Sequence, residues 1–188
     1  MENRDRILQT ALELFTEKGY DSTGVQEIAE LSGITKPTLY HYFGSKKGLL
    51  EILIEPVFKD FQKGLEKASE YKGDLPRNLT EVTELFFRFA RSKPLYARLI
   101  LSLHFAPAES EARETAAPFL FRQYESINKL FREAVRDHGN MRGRDKAIAA
   151  AFLGTLHTYT NHYLNGHTEL DDKTLYEAVR LFSYGIYS

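Results

Sequence analysis

The 188-residue sequence has no cysteine, which removes disulfide frameworks, zinc–cysteine centres and thiol nucleophiles together and fits a reducing compartment. No stretch approaches the roughly 20 apolar residues of a membrane span, and no basic-then-apolar leader is read at its start. The expectation is a soluble, cytoplasmic chain. Charge of one sign is also scarce. A formal net charge of -1 argues against a non-specific nucleic-acid coat, which needs a strong basic excess. Enzyme signatures are missing too: there is no Gly-rich phosphate loop, no nucleophile elbow and no metalloprotease histidine pair. Ser69 to Lys72 fits a Ser-x-x-Lys pattern without its supporting motifs. Residues His41, His104, His138, His157, His162 and His167 offer no spacing of three or four, so two imidazoles never share a helical face. No catalytic residue, metal site or cofactor is expected.

What the sequence does have is helical periodicity throughout, with no useful strand alternation. Apolar residues Ile7, Leu8, Ala11, Leu12, Leu14 and Phe15 form one amphipathic stripe that ends at Gly19. Thr23 and Gln26 fit a capping box for a short second helix, broken at Ser32-Gly33. Thr35 then caps a third helix with Pro37 in its first turn, where the missing N–H costs nothing. Leu39 and Phe43 share its inner face, leaving Tyr40, His41 and Tyr42 outside. Ser45 caps a long helix through Leu65 that Pro56 is expected to kink. Further helices follow from Pro76 and Pro94. The stretch APAESEARETAAP reads as a connection, and helices resume at about Phe119, after GNMRG, and after Asp171 or Asp172. The fold class is therefore all-α, with about nine helices.

A helix, a short second helix, a turn at Gly33 and a third helix with a polar aromatic outer face have the layout of a helix-turn-helix. Charge agrees locally. Residues 1–34 hold three basic side chains against seven acidic ones, whereas residues 35–50 hold Lys36, Lys46 and Lys47 against none. A helix fits the major groove, where its N-terminal half meets base edges while hydroxyls and ammonium groups hold phosphates. Thr35, Lys36, Pro37, Tyr40 and His41 are placed for bases or the adjoining backbone, and Thr23, Thr38, Tyr42 and Lys46 for phosphates.

The run TGVQEIAELSGITKPTLYHYFGSKKGLL resembles the N-terminal signature of the tetracycline-repressor (TetR) family of bacterial transcription regulators. The likeness covers roughly residues 7–54, with Ser32 standing where the family commonly has alanine. It implies a DNA-binding head over residues 1–46 and an effector-binding and dimerisation domain over 47–188. It further implies a homodimer that binds a pseudo-palindromic operator, more often as a repressor, and is released by a small-molecule effector. The alternative is a helical small-molecule binder or scaffold that keeps the head without using it on an operator.

Aromatic residues crowd the middle of the chain. Most bundles bury such rings for stability, yet a pocket for an apolar or aromatic effector needs the same composition with a few polar groups. Phe58, Phe86, Phe89, Tyr96, His104, Phe121 and Tyr124 are the candidates. On the family's pattern the last two helices form the dimer interface, through Ala151, Gly154, Thr158, Val179, Phe182 and Ile186.

Overall fold

The computed structural model describes residues 3–185, so Ile186 lies outside the described residues. Among these residues the regular structure is wholly helical: α1 Asn3–Lys18, α2 Val25–Leu31, α3 Lys36–Phe43, α4 Lys46–Ala68, α5 Leu75–Ser92, α6 Pro94–His104, α7 Glu111–Ala134, α8 Asp145–Leu164 and α9 Asp172–Tyr184. A short 3-10 turn, Gly139–Met141, precedes α8. Local chemistry sets most boundaries. Gly19 ends α1 at φ +83, a conformation that disfavours any Cβ. Asp74 caps α5 by accepting from the Arg77 N–H at 3.0 Å, and Asp171 caps α9 by accepting from the Thr174 N–H at 2.8 Å.

Two expectations about boundaries are corrected. Thr23 does not cap α2: the cap residue is Gly24, with no side-chain hydrogen bond, and Thr23 is turned inward. Residues 111–118 are not a connection but the first turns of α7. Ser110 starts that helix by accepting from the Arg113 N–H at 3.2 Å, and Ala112 and Ala116 are buried. Good helix formers with one apolar face suffice there, despite the acidic composition.

Packing divides the described residues into two units, 3–59 with 95–118, and 60–94 with 119–185. In the first, α1 to α3 bury Ile7, Phe15, Ile28 and Leu39 completely, while α4 contributes Leu49, Leu50 and Ile54. Helix α6 and the first turns of α7 belong to this same unit. In the second, Phe131 meets Phe152 edge-on at 5.9 Å, and Phe182 lies tilted against both at 6.1 and 4.7 Å. The amide of Asn78 on α5 donates to the Ala68 and Glu70 carbonyls at 2.8 and 3.1 Å, closing the end of α4. Pro56 and Pro118 lie inside α4 and α7, and both helices continue through them. Each proline leaves the carbonyl four residues earlier without its helical donor.

Candidate nucleic-acid interface

The turn between α2 and α3 is built from backbone. Gly33 takes φ +63 and its N–H donates to the Glu30 carbonyl, while the Ile34 N–H reaches Ala29, both at 3.0 Å. The Arg6 side chain on α1 donates to the Ser32 carbonyl at 2.7 Å and holds the turn against the first helix. Thr35 then caps α3: its hydroxyl accepts from the Thr38 N–H at 3.4 Å and lies 2.9 Å from the Thr38 hydroxyl. Leu39 and Phe43 anchor the helix in the core at 0% and 5% exposure. Those two anchors decide what faces out. Thr35, Lys36, Pro37, Tyr40, His41 and Tyr42 are all exposed, forming one polar and aromatic surface that begins at the helix N-terminus.

Neighbouring groups on this surface touch one another. His41 meets Tyr42 edge-on at 5.9 Å, and the Lys36 ammonium lies over the Tyr40 ring at 5.8 Å. At the far end Gly44, at φ +71, closes the helix by donating to the Tyr40 carbonyl at 2.8 Å. Ser45 accepts from the Gly48 N–H at 2.9 Å and so caps α4. A Cβ at Gly48 would stand 2.2 Å from the Phe43 carbonyl oxygen, so the junction of α3 and α4 requires glycine there. Sequence reasoning missed Gly48, because only the path of the backbone reveals that approach.

Three expected phosphate contacts sit differently from the rest. Thr23 is 1% exposed, and its hydroxyl donates to the Gly19 carbonyl at 2.7 Å, so it closes a turn and has no surface to offer a phosphate. Thr38 is half-buried and engaged with Thr35. Lys46 is half-buried with its ammonium 4.2 Å above the Tyr20 ring and 3.5 Å from the Asp21 carbonyl, and burial lowers its pKa against the raising influence of Asp21 and Glu111. Tyr20 in turn donates to the Glu111 carboxylate. Burial first, and that hydrogen bond second, push the phenol well above its usual range.

Of the expected effector residues, Phe58, Tyr96 and His104 fall in the first packing unit and Phe86, Phe89, Phe121 and Tyr124 in the second. Phe86 is buried and Phe89 half-buried, each meeting Phe61 at 5.0 Å. Phe121 is 64% exposed and is withdrawn from any interior lining, because it lies on the outer side of α7. Sequence reasoning missed Gln123, Asn128 and Thr160. Each is buried, and Gln123 Oε1, Asn128 Oδ1 and Thr160 Oγ1 have no hydrogen-bond partner among the described residues. Nothing in the sequence sets them apart from ordinary polar positions on helices. Ala151, Gly154 and Thr158 are exposed along α8. Val179 and Phe182 are instead half-buried against their own chain's core, because the apolar stripe of α9 turns inward; α9 exposes Tyr176, Leu181 and Tyr184.

No group of three or more histidine, cysteine, aspartate or glutamate side chains is placed for a metal among the described residues, and no described helix is long and apolar enough to cross a membrane.

Comparison with known proteins bears on the same surface. The family model described as bacterial regulatory proteins, tetR family, matches residues 7–53. The sequence is 26% identical over 184 residues to the HTH-type transcriptional activator FasR of Mycolicibacterium smegmatis, covering 98% of this chain and 82% of FasR. The TetR family transcriptional regulator PfmR from Thermus thermophilus is 27% identical with a TM-score of 0.75, covering 100% of this chain and 99% of PfmR. The regulator FadR from Bacillus subtilis, solved in complex with stearoyl-CoA, shares the fold with a TM-score of 0.78 at 21% identity, over 97% of this chain and 99% of FadR.

Proposed function

Because the chain belongs to the tetR family of bacterial transcriptional regulators through residues 7–53, we propose that it binds a pseudo-palindromic operator as a homodimer. Residues 1–46 act as the reading head and 47–188 as the effector and dimerisation region. The observation that carries this reading is the outward surface of α3, where buried Leu39 and Phe43 leave Lys36, Tyr40 and His41 facing solvent together. Lys36 can donate to a guanine edge, and Pro37 or the Thr35 methyl can pack on a thymine methyl. Heads about 34–36 Å apart would enter successive major grooves on one side of the duplex. The exposed small residues Ala151, Gly154 and Thr158 of α8, together with Tyr176 and Leu181 of α9, supply the face for the second copy.

The effector is a small molecule with an extended apolar part. Support comes from the buried ring cluster around Phe61 and Phe86, and from the stearoyl-CoA held by FadR. Gln123, Asn128 and Thr160 are buried polar side chains in the same packing unit as that ring cluster, which fits a ligand that also carries polar groups. In this reading the protein is a cytoplasmic repressor rather than an enzyme, and the effector releases it from DNA.

Selection of duplexes from a random library on the purified chain tests the reading. It expects one palindromic sequence, preferred over random duplex and lost steeply as salt rises. Enrichment of no sequence would leave the chain a helical binder or scaffold. Placing the selected site upstream of a reporter separates repression from activation.

A further inference from the structure

The proposed operator contact at Lys46 depends on a residue far outside the reading head. Lys46 does not point freely to solvent: its ammonium rests on the Tyr20 ring at 4.2 Å, with the Asp21 carbonyl at 3.5 Å. Tyr20 is only 6% exposed and is held by Phe15, whose ring centroid is 5.1 Å away. Its hydroxyl donates to the carboxylate of Glu111, the first residue of α7. A phenol that donates to a carboxylate gains electron density on its ring, and a richer ring holds a cation more firmly. Glu111 also draws on the ammonium by its own charge. The three groups therefore form one chain of interactions that ends on a candidate phosphate contact.

We propose that Glu111 and Tyr20 withhold the Lys46 ammonium from the DNA backbone, making the first turn of α7 a regulator of operator affinity. This rests on the DNA-binding reading above and adds to it. To reach a phosphate, Lys46 must leave the Tyr20 face, and binding is weaker by whatever that departure costs. The α7 end of the chain of interactions is itself fixed. Arg113, two residues beyond Glu111, donates to the His104 carbonyl at 2.6 Å and to the Leu103 carbonyl at 3.5 Å. Any shift of the α6 end relative to the start of α7 is thereby passed to Glu111 and on to the lysine.

The test is a double-mutant cycle on the full chain, using a duplex enriched from the random library and a scrambled duplex as probes. Glu111→Ala should tighten binding to both duplexes about threefold to tenfold, the scale of a partly buried cation–π contact. Tyr20→Phe should act in the same direction, because it keeps the ring and removes the donor. In a Lys46→Ala background the Glu111 effect should disappear, and the slope of log affinity against log salt should fall by about 0.9, one phosphate's share. Glu111→Gln keeps an acceptor oxygen and removes the charge, and it takes the place of Glu111→Ala if that variant does not fold. A merely structural role for Glu111 would weaken binding alike with or without Lys46. That result, or unchanged affinity in the Glu111 variant, overturns the inference while leaving the DNA reading intact. A wild-type chain that retains neither duplex overturns both.

Discussion

Helices α3 and α5 are both amphipathic, and they use amphipathicity in opposite ways. Of the eight residues of α3 only Leu39 and Phe43 are buried, so six remain to face outward or to cap. Helix α5 buries nine of its 18 residues, including Phe86, Phe87 and the polar Asn78 and Thr83. One helix is a platform held by two pins, and the other is a wall packed on several sides. A side chain on the platform meets whatever the solvent brings, and its chemistry can be read residue by residue. On the wall, a ring that lines a ligand and a ring that only fills space present the same pattern.

Substitutions can sharpen that contrast or break it. The largest effect belongs to the wall: Phe87→Ala, at a position with 0% exposure, should lower the unfolding free energy by about 3–5 kcal/mol in chemical denaturation. Tyr40→Ala, at 41% exposure, should stay within about 0.5 kcal/mol of wild type in the same assay. Comparable losses from both would erase the distinction. Next come Lys36→Ala and His41→Ala, each expected to cost about 1–3 kcal/mol of discrimination at particular base pairs. Repeating the duplex selection with each variant reads this directly, and an unchanged preferred sequence would remove that residue from the reading surface. A smaller loss, about 1 kcal/mol of stability, is expected for Thr35→Ala, which deletes the cap of α3. Thermal melts measure it.

The smallest effect is a pH dependence. Burial, and secondarily Arg113, lower the pKa of His104 from its usual 6.5, so the unfolded chain binds more protons near that pH than the folded one. Stability should then rise with pH, its His104 contribution full above about 6.5 and declining as the pH falls below it. His104→Gln should flatten that part of the profile, and an identical slope in the variant would assign the dependence to other groups.

Short-range chemistry made the head legible. The Thr35 cap, the proline in the first turn of α3 and the Leu39–Phe43 pair act within a few residues of one another, and all stand where the sequence pattern puts them. Long-range packing was not legible. Thr23 looks like a surface hydroxyl until the fold buries it, although the Gly19 carbonyl it donates to is only four residues away. Tyr20 and Glu111, 91 positions apart, share no local signal. The apolar stripe of α9 was visible, but a stripe does not say whether its own core or a second copy covers it; Phe182 sits on Phe152, which places it in the chain's own core. The start of α7 was obscured by acidic residues and two prolines, Pro107 and Pro118, that dilute the apolar spacing without preventing a helix.

The chain's prolines have a mechanical consequence. The polypeptide passes between its packing units after Lys59, after Pro94 and after Pro118. Pro56 lies one turn before the first crossing, while Pro94 and Pro118 are the last residues before the other two. Within α4 and α7, then, the backbone changes unit close to a missing rung, and bending stiffness is reduced there. Deformation needs least force at those places, and amide hydrogens flanking Pro56 and Pro118 should exchange with solvent sooner than those in the middle of α5.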